Sequence, residues 1–311
     1  MVETVKAAKR PARHGPRVSF IELQARNKRR SFILVVMMLG IVTAIGTTLG
    51  ATWGCWWLGL LIGLVAAIIH YAAARMSGTR MVMAATGARP LGKREDPQLV
   101  NVIEEIAISA GMPCPAIWII EEDSSNAFAT GFDRDDAAVA ITRGLRHKLK
   151  RDELQAVIAH EIGHIRNGDS GYMVLMAVLV GSVALLADIG IRTLRHGGRS
   201  RRGGAQAVGL IVLLVLVVLA PLFARLLRAA VSRQREFLAD ATAVELTRQP
   251  QALVSALQKL TADTTPLVAA NRATNHLFIV NPMRRARAGG GALSTHPPLA
   301  ARIKRIEDLY S

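Results

Sequence analysis

Phe32 to Leu49 and Cys55 to Ala74 are two apolar runs without a charge in either, separated only by Gly50 to Gly54. Each has about the length a helix needs to cross a bilayer, roughly 20 residues. The pair therefore commits the chain to a helical membrane hairpin, with Gly50 to Gly54 as its tight turn and Trp53, Trp56 and Trp57 suited to the interface. Arg26, Lys28, Arg29 and Arg30 precede the hairpin, and Arg75 and Arg80 follow it. Basic residues flank both outer ends, which places residues 1–30 and everything after Arg75 in the cytoplasm.

Composition supports a lipid partner. Hydrophobic residues make up 51% of the 311, more than a soluble domain carries. The net charge of +16 fits either nucleic-acid binding or the cytoplasmic flank of a membrane protein. Aromatics are only 5%, and none interleave with the basic runs as a nucleic-acid motif would require, so no nucleic-acid partner is expected. Cys55 and Cys114 have no mutual spacing pattern, which gives neither a disulfide framework nor a cysteine metal site. The first apolar run begins only near Phe32, after a long basic lead, so no cleavable signal peptide is expected. Nothing in the sequence sets an oligomeric state.

Residues 96–170 read as a compact soluble unit. Asp96 caps a helix with Pro97 in its first turn, Leu99, Val102, Ile103 and Ile106 form its buried face, and Gly111 stops it. Ala116 to Ile120 and Ala137 to Thr142 read as short strands, and Ala127 to Thr130 as an exposed edge strand. Asp152 is the expected cap of the next helix, whose apolar face includes Leu154, Val157 and Ile158.

That helix carries His160-Glu161-Ile162-Gly163-His164. The four-residue spacing puts both imidazoles on one face, one turn apart, where they can bind one Zn²⁺. Glu161 stands beside them, placed to take a proton from a water that the metal activates. A catalytic zinc needs a third protein ligand and an open position. The best downstream candidate is Glu236, with Asp240 four residues on and on the same helical face, able to accept a hydrogen bond from a ligand histidine's far nitrogen.

Two further apolar runs, Tyr172 to Ile191 and Val208 to Ala224, enclose the very basic loop Arg192 to Arg202. If both span, that loop lies on the wrong side for the positive-inside rule, and Asp188 sits inside a span. The sequence therefore allows two to four spanning helices. After Arg225 an amphipathic helix is expected through residue 248, Arg284 to Gly291 is the expected loop, and Pro298 to Tyr310 reads as a packing helix through Leu299, Ile303, Ile306 and Leu309.

Three stretches together resemble a known family: His160 to Asp169, Ser232 to Asp240, and Ser294-Thr295-His296-Pro297-Pro298. They are similar to the successive signatures of the HtpX membrane metalloproteases, gluzincins related to the CAAX prenyl endopeptidases and Oma-type proteases. Asn126-Ala127-Phe128-Ala129-Thr130-Gly131 matches the segment ahead of that family's zinc helix, and the resemblance covers roughly residues 30 to 311. The long basic tail and the Arg/Gly-rich loops depart from the pattern.

The resemblance implies an integral membrane α-helical protein of two to four spans with a cytosolic, mainly helical α+β zincin domain. Residues 76–170 and 225–311 would form that domain, 31–75 the hairpin and 171–224 a hydrophobic insert. It further implies a zinc endopeptidase of the bacterial cytoplasmic membrane that cuts misfolded or damaged membrane proteins. Glu161 would be the general base and His160, His164 and Glu236 the ligands of one Zn²⁺ per chain. Asp240, Asn167 and Asp169 would stand behind the ligands, His296 would assist at the oxyanion, and Asn126 to Thr130 would pair with an extended substrate. The competing reading is a catalytically silent membrane scaffold that binds client proteins. Glu161 argues against it, because a structural metal needs closed coordination and no proton acceptor.

Overall fold

The computed structural model describes residues 54–175, 233–268 and 297–310, most of 29–50, and positions 177, 178, 211, 214, 215, 274 and 277–279. The basic tail before residue 29, most of the 171–224 insert, Arg284 to Gly291 and His296 lie outside the described residues.

The first apolar run contributes a short helix, α1 (Val35–Thr47), and the second begins α2 (Trp56–Ala85). The two apolar runs pack through glycines spaced four apart in each, Gly46 and Gly50 against Gly59 and Gly63. A Cβ on Gly59 would collide with the Gly46 carbonyl oxygen, and one on Gly50 would stand 2.6 Å from the Gly59 Cα. A Cβ on Gly63 would stand 2.9 Å from the Thr43 carbonyl oxygen. This is the small-residue packing that brings membrane helices into backbone contact, and any side chain there would separate them.

Helix α2 does not end at Ala74 with the apolar run. It continues to Ala85, 30 residues in all, and is the one helix among the described residues long and apolar enough to cross a membrane. At ~1.5 Å per residue it is about 45 Å long, half again the ~30 Å hydrocarbon core. Large apolar side chains from Trp56 to Ile69 are exposed. Beyond Arg75 the same helix becomes part of the soluble unit. Arg75 pairs with Asp133, stands 3.8 Å from Asp136 and stacks 5.0 Å over the Phe132 ring, while Val82 and Met83 are buried. Nothing flexible intervenes between the apolar helix and the fold that follows.

The four-stranded sheet has the order β1 (Arg89–Pro90), β2 (Ala116–Ile120), β4 (Ala138–Thr142), β3 (Ala127–Thr130). β2 and β4 are parallel, with Trp118 opposite Ala140, and the other two pairings are antiparallel. The parallel pair needs a crossover, which the β2–β3 connection and β3 itself supply. Period-two alternation splits the strands between two cores. Ile119, Ala127, Ala129, Val139 and Ile141 face α3 (Pro97–Ser109), α5 (Arg151–Arg166) and α7 (Pro250–Ala262). Ile120, Phe128, Ala138 and Ala140 face the end of α2 together with Met173, Ala177, Leu267, Leu277 and Phe278. The start of the third apolar run is thus buried against protein, with Tyr172 to Leu175 all under 9% exposed.

Caps follow the sequence with one exception. The Leu99 N–H donates to Asp96 Oδ1 at 3.0 Å, and Gly111 leaves α3 at φ 64°. Thr142 caps the short α4 (Arg143–Lys148). The cap of α5 is Lys150 rather than Asp152, because Glu153 reaches back to accept from the Lys150 N–H at 2.7 Å and is itself held by Lys259 and Ser255 of α7. Of the expected helix 225–248, α6 (Arg233–Thr247) is described, and α8 (Leu299–Tyr310) closes the fold. α7 carried no separate expectation.

β3 is the edge strand, as expected, but it is not exposed. All four of its residues are buried, since residues 277–279 lie along it. The Ile279 N–H donates to the Ala127 carbonyl at 3.0 Å, and Phe278 meets Phe128 edge-to-face with ring centroids 4.9 Å apart.

Candidate metal centre

α5 and α6 cross where Gly163 faces Ala239 and Thr242. A Cβ on Gly163 would sit 3.3 Å from the Thr242 Cβ and 3.4 Å from the Ala239 Cα, so the absent side chain lets the two helices close on each other. That approach sets Glu236, one turn before Asp240, against His160 and His164. Their donor atoms lie within 4.8 Å of one another, and all three residues are buried.

The distances suit a tetrahedral zinc, whose donors at about 2.1 Å from the metal would stand roughly 3.4 Å apart. The two Nε2 atoms are 3.2 Å apart, and Glu236 oxygens lie 3.8 Å from His160 Nε2 and 3.7 Å from His164 Nε2. The far nitrogens are already engaged. His160 Nδ1 is 3.0 Å from Asp240 Oδ1, and His164 Nδ1 is 3.3 Å from Asp169 Oδ2. Each Nδ1–H donating to its carboxylate leaves a lone pair on Nε2, and although Arg302 Nη2 stands 3.3 Å from that of His160, two such lone pairs at 3.2 Å repel unless a positive charge lies between them. The donor set fits a cation.

The protein groups alone answer that repulsion by splitting the pair. Burial, with Arg302 nearby, pushes His160 down to about 4. Burial also opposes charge on His164, but the Asp169 hydrogen bond and the Glu236 carboxylate outweigh it and raise that ring to about 9. A bound dication would replace the proton that His164 otherwise carries.

Glu161 is 1% exposed. Burial pushes its carboxyl up to about 7, a range in which it can both take and return a proton near neutrality. The Ala129 N–H of β3, close to the carboxylate, opposes that rise, and Glu161 Oε1 has no hydrogen-bond partner among the described residues. The edge strand therefore touches the proposed base directly.

Of the remaining expected residues, Asn167 is the C-cap of α5 and is buried, its N–H on the Gly163 carbonyl. Asn126 caps its own strand, its Oδ1 accepting from the Ala127 N–H at 3.1 Å. His296 lies outside the described residues.

Sequence reading missed Arg302. It is fully buried on α8, donates to Asp240 at 2.6 and 2.9 Å and stands 3.3 Å from a Glu236 oxygen. Its signal was present, for residue 302 falls within the apolar stripe made by Leu299, Ile303 and Ile306. An arginine there is an exception that packing alone does not explain.

Residues 93–310 match peptidase family M48. The chain belongs to that family. Along nearly its whole length it is also similar to proteins named Protease HtpX homolog. It is 40% identical to the one from Thermoanaerobacter pseudethanolicus, covering 94% of this chain and 99% of that protein. The one from Listeria monocytogenes serotype 4a is 38% identical, covering 92% and 98%. Among solved structures, the crystal structure of S. mikatae Ste24p aligns with a TM-score of 0.49 at 21% identity, over 92% of this chain and 66% of that one. The HtpX-type M48 protease is a metalloprotease, and the His160–His164–Glu236 cluster is where its metal can bind.

Proposed function

We propose that this protease is a zinc endopeptidase of the bacterial cytoplasmic membrane, its active site facing the cytoplasm, that cuts misfolded or damaged membrane proteins. The observation carrying this reading is the meeting, at one buried place, of a two-histidine, one-carboxylate donor set and the Glu161 carboxylate. The unit that holds them is fixed to the end of a membrane-length helix.

Zinc held by His160, His164 and Glu236 would supply Lewis-acid activation of water and of the substrate carbonyl. Glu161 takes up the proton on its carboxylate and returns it to the leaving amine nitrogen. Asp240 and Asp169 keep both Nε2 lone pairs turned toward the cation. His296 donates to the oxygen of the tetrahedral intermediate. An extended substrate pairs with Asn126 to Thr130, and to do so takes over the Ala127 carbonyl that Ile279 now occupies.

Detergent-solubilised protein should hydrolyse casein, lose that activity to a chelator, and regain it with added zinc. Chelator-insensitive hydrolysis would refute the metal mechanism. Orientation is read separately by labelling. Cys55 and Cys114 are both exposed and are replaced by serine, and a single cysteine is placed at the exposed Ser109. In intact cells that position should resist an impermeant thiol reagent until the membrane is opened. Labelling from outside would invert the topology and remove cytosolic segments as substrates.

A further inference from the structure

The two histidines are supported in parallel. Beside His160 stand Asp240 and Arg302, which also lies 3.2 Å from the ring's Nδ1, and behind His164 stand Asp169 and then Arg235. Arg235 is 4% exposed, with its Nε 3.7 Å from Asp169 Oδ1 and its guanidinium 4.6 Å over the Tyr172 ring. We propose that Arg235 is a positioning residue of the metal centre, holding Asp169 and through it the orientation of His164. The inference rests on reading His160, His164 and Glu236 as zinc ligands.

The argument starts from Asp169, which is 0% exposed. A carboxylate taken out of water needs compensating charge and fixed hydrogen bonds. Its two oxygens are used differently. Oδ2 faces His164 Nδ1 at 3.3 Å, and Oδ1 faces Arg235. The guanidinium charge 3.7 Å from the second oxygen, an ion pair rather than a hydrogen bond, favours the carboxylate orientation that keeps Oδ2 on the ring, so the imidazole keeps the tautomer and the tilt that aim Nε2 at the cation. Tyr172, at the start of the third apolar run, supports the guanidinium from its face. Arg235 also adjoins the ligand Glu236 on α6. A single turn of helix thus supplies one ligand and steers another that belongs to α5.

The alternative is that Arg235 merely ties α6 to residues 169–175, which would alter folding but not the metal. Zinc affinity, measured by competition with a chromophoric chelator on the full-length solubilised protein, separates the two, as does the visible spectrum of the cobalt-substituted form. Arg235→Gln should weaken zinc by about 10- to 100-fold and shift the cobalt bands. Arg235→Lys keeps the charge but not the planar fork. It should hold zinc within about threefold of wild type while still shifting the bands, and it carries the test if the glutamine variant does not fold.

Asp169→Asn should weaken zinc comparably to Arg235→Gln. If Arg235 acts through Asp169, adding Arg235→Gln to Asp169→Asn should cost no more than about twofold further. Wild-type affinity and an unshifted cobalt spectrum in both Arg235 variants would overturn the inference, as would losses that multiply in the double variant. Failure of wild type itself to take up zinc or cobalt would overturn the ligand assignment, and the inference with it.

Discussion

Glu161→Gln should reduce peptide hydrolysis by about 10²- to 10⁴-fold while leaving zinc content at the wild-type level, since a positioned general base contributes on that order. The amide is nearly isosteric with the acid, so the apolar packing of β3 on α5 is kept. What it lacks is basicity. Glu161 is absent from the donor cluster of His160, His164 and Glu236, which explains why the metal should stay. Glu236→Ala is the contrasting control, in which metal and activity should fall together. Metal analysis alongside turnover on a short unstructured peptide reads both quantities. A zinc-loaded Glu161→Gln protein that turns over at the wild-type rate would remove Glu161 from the chemistry.

Arg302→Met should destabilise the protein by about 3–5 kcal/mol, the range for breaking a buried ion pair by removing one partner. Arg302 is 0% exposed and faces two buried carboxylates, Asp240 and Glu236, so methionine of similar length leaves both uncompensated. For a unit of this size the thermal midpoint should fall by about 10 °C. The loss should be greater after chelation than with zinc bound, because a dication takes over part of the neutralisation of Glu236. Adding Asp240→Asn should recover some of the lost stability by removing one orphaned charge. Melting curves of the solubilised protein with and without chelator decide the matter. A midpoint within about a degree of wild type in both states would show that Arg302 does not compensate this pair.

Much of the centre was legible because its signals are local. His160, Glu161 and His164 sit on one helix, where period 3.6 alone fixes which side chains share a face. Glu236 and Asp240 repeat that logic on α6. The caps at Asp96 and Gly111, and the strands at 116–120 and 127–130, were equally readable, since each is decided within a few residues of chain.

Errors arose where distant chain competes with a local rule. Asp152 obeyed the capping preference, but Glu153, held by Ser255 and Lys259 of α7, moved the cap to Lys150. Ala127 to Thr130 reads as an exposed edge until residues 277–279 cover it. The apolar run does end before Arg75, while the helix that carries it runs on to Ala85, because a helix ends where its hydrogen bonds or its packing stop. Asp133, Asp136 and Phe132 gave α2 reasons to continue.

By itself the sequence determined that one helix offers two imidazoles with a carboxylate beside them, that another offers a carboxylate pair, and that the apolar hairpin has membrane length. Only the tertiary structure decided which buried charges answer one another. Arg235 and Arg302 are separated from the carboxylates they serve by 66 and 62 positions of chain. No periodicity reaches that far. In a low-dielectric interior a charge is tolerated only beside its opposite, and that pairing is settled by how α5, α6 and α8 pack together.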